Sequence, residues 1–338
     1  MASELRVMIA TAGRPRLLQR TLDSLAECER PSIYRETIVI ENGPPMGARD
    51  IVEACPKELA ARYVHVERAN KSNALNVAMQ DVPDPCLIFF SDDDVRFAAD
   101  ILTQYAHAAE ECEEGFFYGG PVEVDYEVPP LEWVRPHLPA SAVGWEYDEK
   151  CVHDRSVVFL GMNWAAFVGD IRQAGQFDLR FGPGGSSGSI GQEANMQQSL
   201  LKVGVRPQYV ASARVWHFVP AERCTPRWTL ERQFRAGLKQ GLLSERHALS
   251  LLGFLRWRSR IIVKPTVAYL CTRLALSPKT RYAAQARLWF ILGVLRGSWL
   301  ARNQLCEENR KSNKATSHLS PEDLPGKRAA DDSIHSSG

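Results

Sequence analysis

No Cys-x-x-Cys pair occurs anywhere in the chain; the eight cysteines (Cys28, Cys55, Cys86, Cys112, Cys151, Cys224, Cys271 and Cys306) stand singly. Scattered thiols of this kind argue against a disulfide framework or a zinc site and fit a reducing compartment. Long apolar runs are missing too. No stretch approaches the roughly 20 uninterrupted apolar residues that span a bilayer, and the polar opening from Met1 to Arg6 lacks the marks of a secretory leader. The working parts are therefore expected to face the cytoplasm, at most peripheral to the inner face of the membrane. A net charge of +1 gives no bulk reason to bind nucleic acid. One local absence is more telling: residues 246–302 contain no Asp or Glu. That span holds Arg246, Arg256, Arg258, Arg260, Lys264, Arg273, Lys279, Arg281, Arg287, Arg296 and Arg302 among Leu, Ile, Val, Phe and Trp. Helices both greasy and cationic suit an anionic membrane surface, or packing on the core or on a second protomer. No nucleic-acid reading module accompanies them, so no nucleic-acid partner is expected.

The first third of the chain alternates short apolar runs with amphipathic segments. Strands are predicted over residues 5–10, 37–41, 62–67 and 86–91. Helices are predicted over 15–28, where Leu18, Leu22 and Leu25 share a face, and over 47–61, 73–80 and 98–114. This βα alternation predicts an α/β fold with a Rossmann-like, mainly parallel sheet flanked by helices. In such sheets ligands bind beyond the carboxyl ends of the strands. Thr11–Arg14, Glu41–Gly43, Arg68–Lys71 and Asp92–Asp94 all fall there. Further on, a helix is expected over 193–203, a strand over 208–217 and a helix over 225–243. The Gly- and Ser-rich stretch 182–191 is expected to act as a lid.

The triplet Asp92-Asp93-Asp94 directly follows the apolar run Cys86-Leu87-Ile88-Phe89-Phe90. Three like charges at a strand end repel one another and lose hydration, so they require compensation. A hard divalent cation such as Mg²⁺ or Mn²⁺ provides it; an acidic helix cap is the plainer alternative.

Taken in order, these motifs resemble those of the family 2 glycosyltransferases of the GT-A fold. Ile9-Ala10-Thr11-Ala12-Gly13-Arg14-Pro15 is similar to the family's opening strand and turn, with Ala12-Gly13 departing from the usual pair. Val39-Ile40-Glu41-Asn42-Gly43, Lys71-Ser72-Asn73-Ala74-Leu75-Asn76, Phe90-Ser91-Asp92-Asp93-Asp94, Gly161-Met162-Asn163, Gln192-Glu193 and Val215-Trp216-His217 follow in the family's order. The resemblance implies an inverting transfer from a nucleotide-diphospho-sugar to a hydroxyl of a glycan or lipid-linked glycan. It places Thr11, Arg14, Glu41, Arg68, Lys71, Asn76, Asp92, Asp93 and Asn163 around the donor. Asp92, Asp94 and His217 would hold Mn²⁺ or Mg²⁺, with Glu193 as the catalytic base. Arg68 and Arg223 could meet phosphates or surface acids, and Trp133, Trp145 and Trp164 could stack on acceptor sugars or pack in the core. A Gly-rich phosphate loop of the sugar nucleotidyltransferase kind is absent after the first strand. The remaining alternative is a catalytically inactive relative that binds nucleotide-sugar or glycan as a membrane-associated scaffold.

The expected organisation is a nucleotide-sugar-binding half over 1–120, an acceptor-binding and catalytic half over 121–243, a basic helical extension over 244–304 at a membrane or between the protomers of a homodimer, and a disordered tail over 305–338.

Overall fold

The computed structural model describes residues 4–111, 115–147, 158–188, 190–244, 250–273 and 277–317. Its centre is a seven-stranded sheet. Four strands, β1 (Glu4–Thr11), β2 (Tyr34–Asn42), β3 (Ala61–Val66) and β4 (Cys86–Asp92), are parallel and lie in the order β3-β2-β1-β4. Short strands β5 (Val95–Phe97), β6 (Phe116–Gly119), β7 (Val122–Tyr126) and β8 (Trp164–Phe167) follow in the chain. β8 joins the sheet antiparallel to both β4 and β6, and β9 (Arg206–Tyr209) closes its edge beside β6. The architecture is thus mainly parallel with one reversed strand.

The helices coat both faces of this sheet, because alternate strand residues feed different layers. Val7 and Ile9 of β1 join Leu18, Leu22 and Leu25 of α1 (Pro15–Ala26), Val52 of α2 (Ala48–Glu53) and Leu102 and Tyr105 of α4 (Ile101–Glu111). Met8 and Ala10 face the other way. They meet Leu75 of α3 (Lys71–Ala78), Ile171 of α6 (Val168–Gln173) and Met196 and Leu200 of α7 (Gln192–Lys202). Each fully buried Leu or Ile contributes about 1.5–3 kcal/mol relative to exposure, so the two layers fix the register of the strands and the positions of their ends. A four-residue helix, α5 (Ala140–Val143), sits outside these layers.

Several segments differ from the sequence expectation. The helix expected over 47–61 is α2 followed by a separate turn of 3₁₀-helix, Lys57–Leu59, with Pro56 between them. The strand expected over 208–217 is two strands in two sheets. β9 belongs to the main sheet, whereas β10 (Val215–Val219) pairs with β5 and β7 in a separate three-stranded sheet. The lid expectation also changes. The first half of the 182–191 loop is tied to α3: Lys71 N donates to Pro183 O at 3.1 Å and the Asn70 amide donates to Leu179 O and Gly184 O at 2.9 and 3.3 Å.

Beyond the sheet come α8 (Pro226–Leu242), α9 (Leu251–Arg273) and α10 (Pro278–Ser317). α10 runs past residue 304, into the part of the chain expected to be disordered; residues 318–338 lie outside the described residues, as do 112–114 of the expected fourth helix. α10 packs on α8 through Gly237 and Gly241 on one helix and Gly293 and Gly297 on the other. A Cβ at any of these four positions would collide with the partner helix's backbone. The helices therefore approach at backbone contact, which only glycine permits. Replacing Gly237 or Gly297 with leucine should lower Tm by about 2–10 °C, because overpacking costs about 1–3 kcal/mol or more. An unchanged thermal unfolding curve would show that the two helices do not meet this way.

Candidate active site

The parallel strands end at a cleft of about 610 Å³. One wall is built by Ala10, Thr11 and Arg14 after β1, Asn42 after β2, Lys71 at the start of α3, and Asp92 and Asp94 after β4. The cleft is also lined by the first residues of α7, Gln192 and Glu193, by Trp228, Arg232 and Arg235 of α8, and by His217 of β10, which lies beside Asp94.

The three carboxylates are compensated one by one. Asp92 forms an ion pair with Lys71, and this carboxylate outweighs burial to raise the Lys71 pKa. Asp93 points inward and is fully buried. It accepts a hydrogen bond from Thr11 Oγ1 at 2.6 Å and pairs with the Arg14 guanidinium. Burial outweighs these contacts and pushes Asp93 up to about 6. Asp94 takes the other arm of Arg14, with Nη1 to Oδ2 at 2.6 Å, and has Arg223 at 3.5 Å. Although burial alone would raise it, His217 when protonated, together with Arg14 and Arg223, holds Asp94 well below the usual carboxylate range.

His217 reaches Asp94 through strand pairing. β10 lies antiparallel to β5 with His217 opposite Val95, and Phe218 N donates to Asp94 O at 2.8 Å. The ring is buried, and its Nδ1 lies 2.6 Å from Ser141 O. A carbonyl only accepts, so Nδ1 carries the proton and Nε2 presents a lone pair in the neutral ring. That nitrogen faces Asp94 Oδ1 at 3.5 Å, and the oxygen is buried without a hydrogen-bond partner. Two electron-rich atoms turned toward each other, with the imidazole held by a backbone carbonyl, fit a divalent cation. Asp92 forms its ion pair with Lys71, and among the described residues no three His, Cys, Asp or Glu are gathered into one cluster. Asp94 and His217 would supply two ligands, leaving the remaining positions to a bound phosphate.

Glu193 stands in the first turn of α7, and the cleft reaches it because Gly161 has no side chain; a Cβ there would strike the Glu193 methylenes. Among the described residues its carboxylate makes no ion pair, while Lys71, Arg232 and Lys239 all lie close enough to feel its charge.

Other residues expected at the donor are placed elsewhere. Glu41 is buried under its own loop, accepting from Met46 N at 2.7 Å and from the Tyr63 hydroxyl at 2.6 Å. Strand alternation turns Asn42 to the cleft in its place. Asn76 exchanges hydrogen bonds with the backbone of Phe177, both at 2.9 Å, and so ties α3 to the segment after α6. Asn163 is fully buried: it accepts from the Tyr105 hydroxyl at 2.7 Å and its amide donates to Pro121 O and Ala213 O at 2.9 and 2.8 Å. Asp93 likewise faces the protein rather than the cleft, and Arg68 is exposed away from the lining residues. Of the tryptophans, Trp164 is core, stacked on Phe90 at 4.6 Å, and Trp228 lines the cleft instead. The sequence reading missed Ser141, Arg232, Arg235 and Lys239. The spacing of the last three, at i, i+3 and i+7 on a helix, was the available signal.

Residues 3–237 match the family described as glycosyltransferase like family 2. Over 243 residues the chain is 27% identical to the succinoglycan biosynthesis protein ExoM of Rhizobium meliloti (strain 1021), covering 70% of this chain and 74% of that protein. Its fold is similar to that of the mannosyltransferase PcManGT from Pyrobaculum calidifontis, solved in complex with GDP-Man and Mn²⁺. The TM-score is 0.55 at 17% identity over 88% of each chain. A chain whose parallel strands end at this cleft of paired acids and bases, and whose sequence matches over that whole span, belongs to glycosyltransferase family 2 and is a glycosyltransferase of the GT-A fold.

Proposed function

We propose that the chain performs an inverting transfer of a sugar from a nucleotide-diphospho-sugar to a hydroxyl of a glycan acceptor, with Glu193 as the general base. The observation that carries this reading is the arrangement of one cleft. Compensated carboxylates and cations stand at the strand ends, and the Glu193 carboxylate faces them from α7. The donor diphosphate would lie against Lys71 and Arg14, which supply fixed positive charge where the leaving group gathers negative charge. Asp94 and His217 would hold Mn²⁺ or Mg²⁺, which when bound acts as a Lewis acid toward the phosphates. The similar mannosyltransferase was solved in complex with GDP-Man and Mn²⁺. Glu193, across the cleft, takes the proton of the attacking hydroxyl. One displacement with base and leaving group on opposite faces inverts the anomeric centre.

A glycan acceptor is supported by the relative's part in succinoglycan biosynthesis. The last helices support attachment to a membrane surface. Among the described residues no helix is long and apolar enough to cross a membrane. α9, however, exposes Leu251, Leu252, Leu255, Val263, Val267 and Leu270 together with Arg256, Arg260 and Lys264. Apolar surface interleaved with cations and free of acids suits an anionic leaflet, where a lipid-linked acceptor would be met.

Each part of this reading has its own test. Glu193→Gln should keep nucleotide affinity within about twofold while transfer falls by about 10²–10⁴; full transfer would remove Glu193 from the base position. Nucleoside diphosphate plus Mn²⁺ should raise the Tm of the wild-type chain. Asp94→Ala should erase the metal-dependent part of that rise, and a shift that survives the substitution would place the metal elsewhere. Flotation with anionic liposomes should be strong for the wild type and lost in Arg256→Glu/Arg260→Glu/Lys264→Glu. Equal flotation of the two would rule out α9 as the membrane face.

A further inference from the structure

One wall of the cleft carries positive charge that the donor chemistry leaves unused. On α8, Arg232, Arg235 and Lys239 share a face at i, i+3 and i+7. Arg232 and Arg235 line the cleft, and the Lys239 ammonium donates to Gly191 O at 3.0 Å beside it. Among the described residues the ion pairs of α8 and its approach are Arg227–Glu231 and Arg223–Asp94, so none involves these three cations. Arg232 Nε is buried without a hydrogen-bond partner. Burial, together with repulsion from Arg223 and Arg235, pulls the Arg232 pKa down, and burial with Arg232 does the same to Lys239; for both, Glu193 is the opposing attraction. Two partly buried cations, Arg232 and Lys239, that share one carboxylate, with Arg235 exposed beside them, are short of countercharge.

This cluster borders the donor end through Arg223, which lies 3.5 Å from Asp94 and repels Arg232. The charges that act most on Asp94 are His217, Arg14 and Arg223, and those that act on Lys71 are Asp92, Glu193 and Asp93; no α8 cation is among them. Glu193 lies between the two groups, felt by Lys71 from one side and by Arg232 and Lys239 from the other. An acceptor whose hydroxyl meets Glu193 therefore extends toward α8. Guanidinium groups grip phosphate oxygens two at a time, which suits a phosphate better than a single carboxylate.

We propose that Arg232, Arg235 and Lys239 form an anion subsite on the acceptor side of the cleft, and that the acceptor carries a phosphate or diphosphate group which docks there. The proposal rests on the reading of Glu193 as the base. The phosphate has two sources, a lipid carrier or a soluble sugar phosphate, and the same chemistry serves both.

The test is calorimetric and uses the full chain. Its donor site is first saturated with the nucleoside diphosphate that raises its Tm, in the presence of Mg²⁺. Phenyl phosphate is then titrated in solution, and farnesyl phosphate in uncharged detergent micelles. Phosphate should still bind with the nucleotide in place. Its affinity should fall at least tenfold in Arg232→Gln/Lys239→Gln and severalfold in Arg235→Gln, while nucleotide affinity stays within twofold. Arg235 is exposed at the rim, so its substitution keeps the test valid if the double variant folds poorly. Tighter binding of farnesyl than of phenyl phosphate would support the subsite with a lipid carrier as its source; equal binding would support it with a soluble phosphate. Phosphate displaced by the nucleotide would overturn the proposal, as would phosphate affinity untouched by the substitutions or nucleotide affinity lost in parallel; the first and last of these would hand the cations to the donor. A wild-type chain that binds no nucleotide would instead defeat the functional reading, and phosphate binding lost in the variants would still support an anion site on α8.

Discussion

Three adjacent carboxylates at the end of a buried strand are the constraint around which the cleft is arranged. Left alone they would repel one another in a poorly hydrated place. Each is given its own partner: Lys71 for Asp92, Thr11 and Arg14 for Asp93, and Arg14 with Arg223 and His217 for Asp94. Those partners come from the end of β1 and the turn after it, the start of α3, β10 of the second sheet and the turn that follows β10. Satisfying the charges therefore fixes how these elements meet. Asp93 has the structural part of the triplet, and its neighbours are left to face the ligand.

The cleft that results is electrically two-sided. Its strand-end wall balances acids against bases nearly one for one, so it can accept a cation and a polyphosphate together without excess charge of either sign. Its α8 wall is cationic, and Glu193 stands between them. Gly161 leaves the Glu193 carboxylate room to be reached.

Much of this was legible in the chain. Apolar runs bounded by polar turns gave β1, β2 and β4, because strands buried on both faces must be almost wholly apolar. Asp94, Glu193 and His217, expected at strand ends and a helix start, all line the one cleft. What stayed hidden depended on orientation. Glu41 and Asn42 are neighbours, and strand alternation alone decides which one faces the cleft. Asn163 has a residue type suited to ligand binding, yet its amide is consumed by Tyr105, Pro121 and Ala213 from three other segments. The break between β9 and β10 was equally invisible, since Gln208–His217 reads as one extended run and only the partner strands divide it. Arg232, Arg235 and Lys239 share a helix face by spacing, but only the fold sets that face along the cleft.

The pairing of β10 with β5 also dictates an order of assembly. Asp94 lies in the first half of the domain and His217 near its end, and the two meet only when β10 adds to the second sheet. The first half can form its four parallel strands from residues 4–92 alone, whereas closure of the cleft waits for a more distant segment, and contacts of that range form slowly. During synthesis the acidic strand end must exist for a time with Arg14 and Lys71 as its only companions. These two cations come from the same early segment as the acids, so the nascent domain can keep its charges paired before the catalytic half emerges.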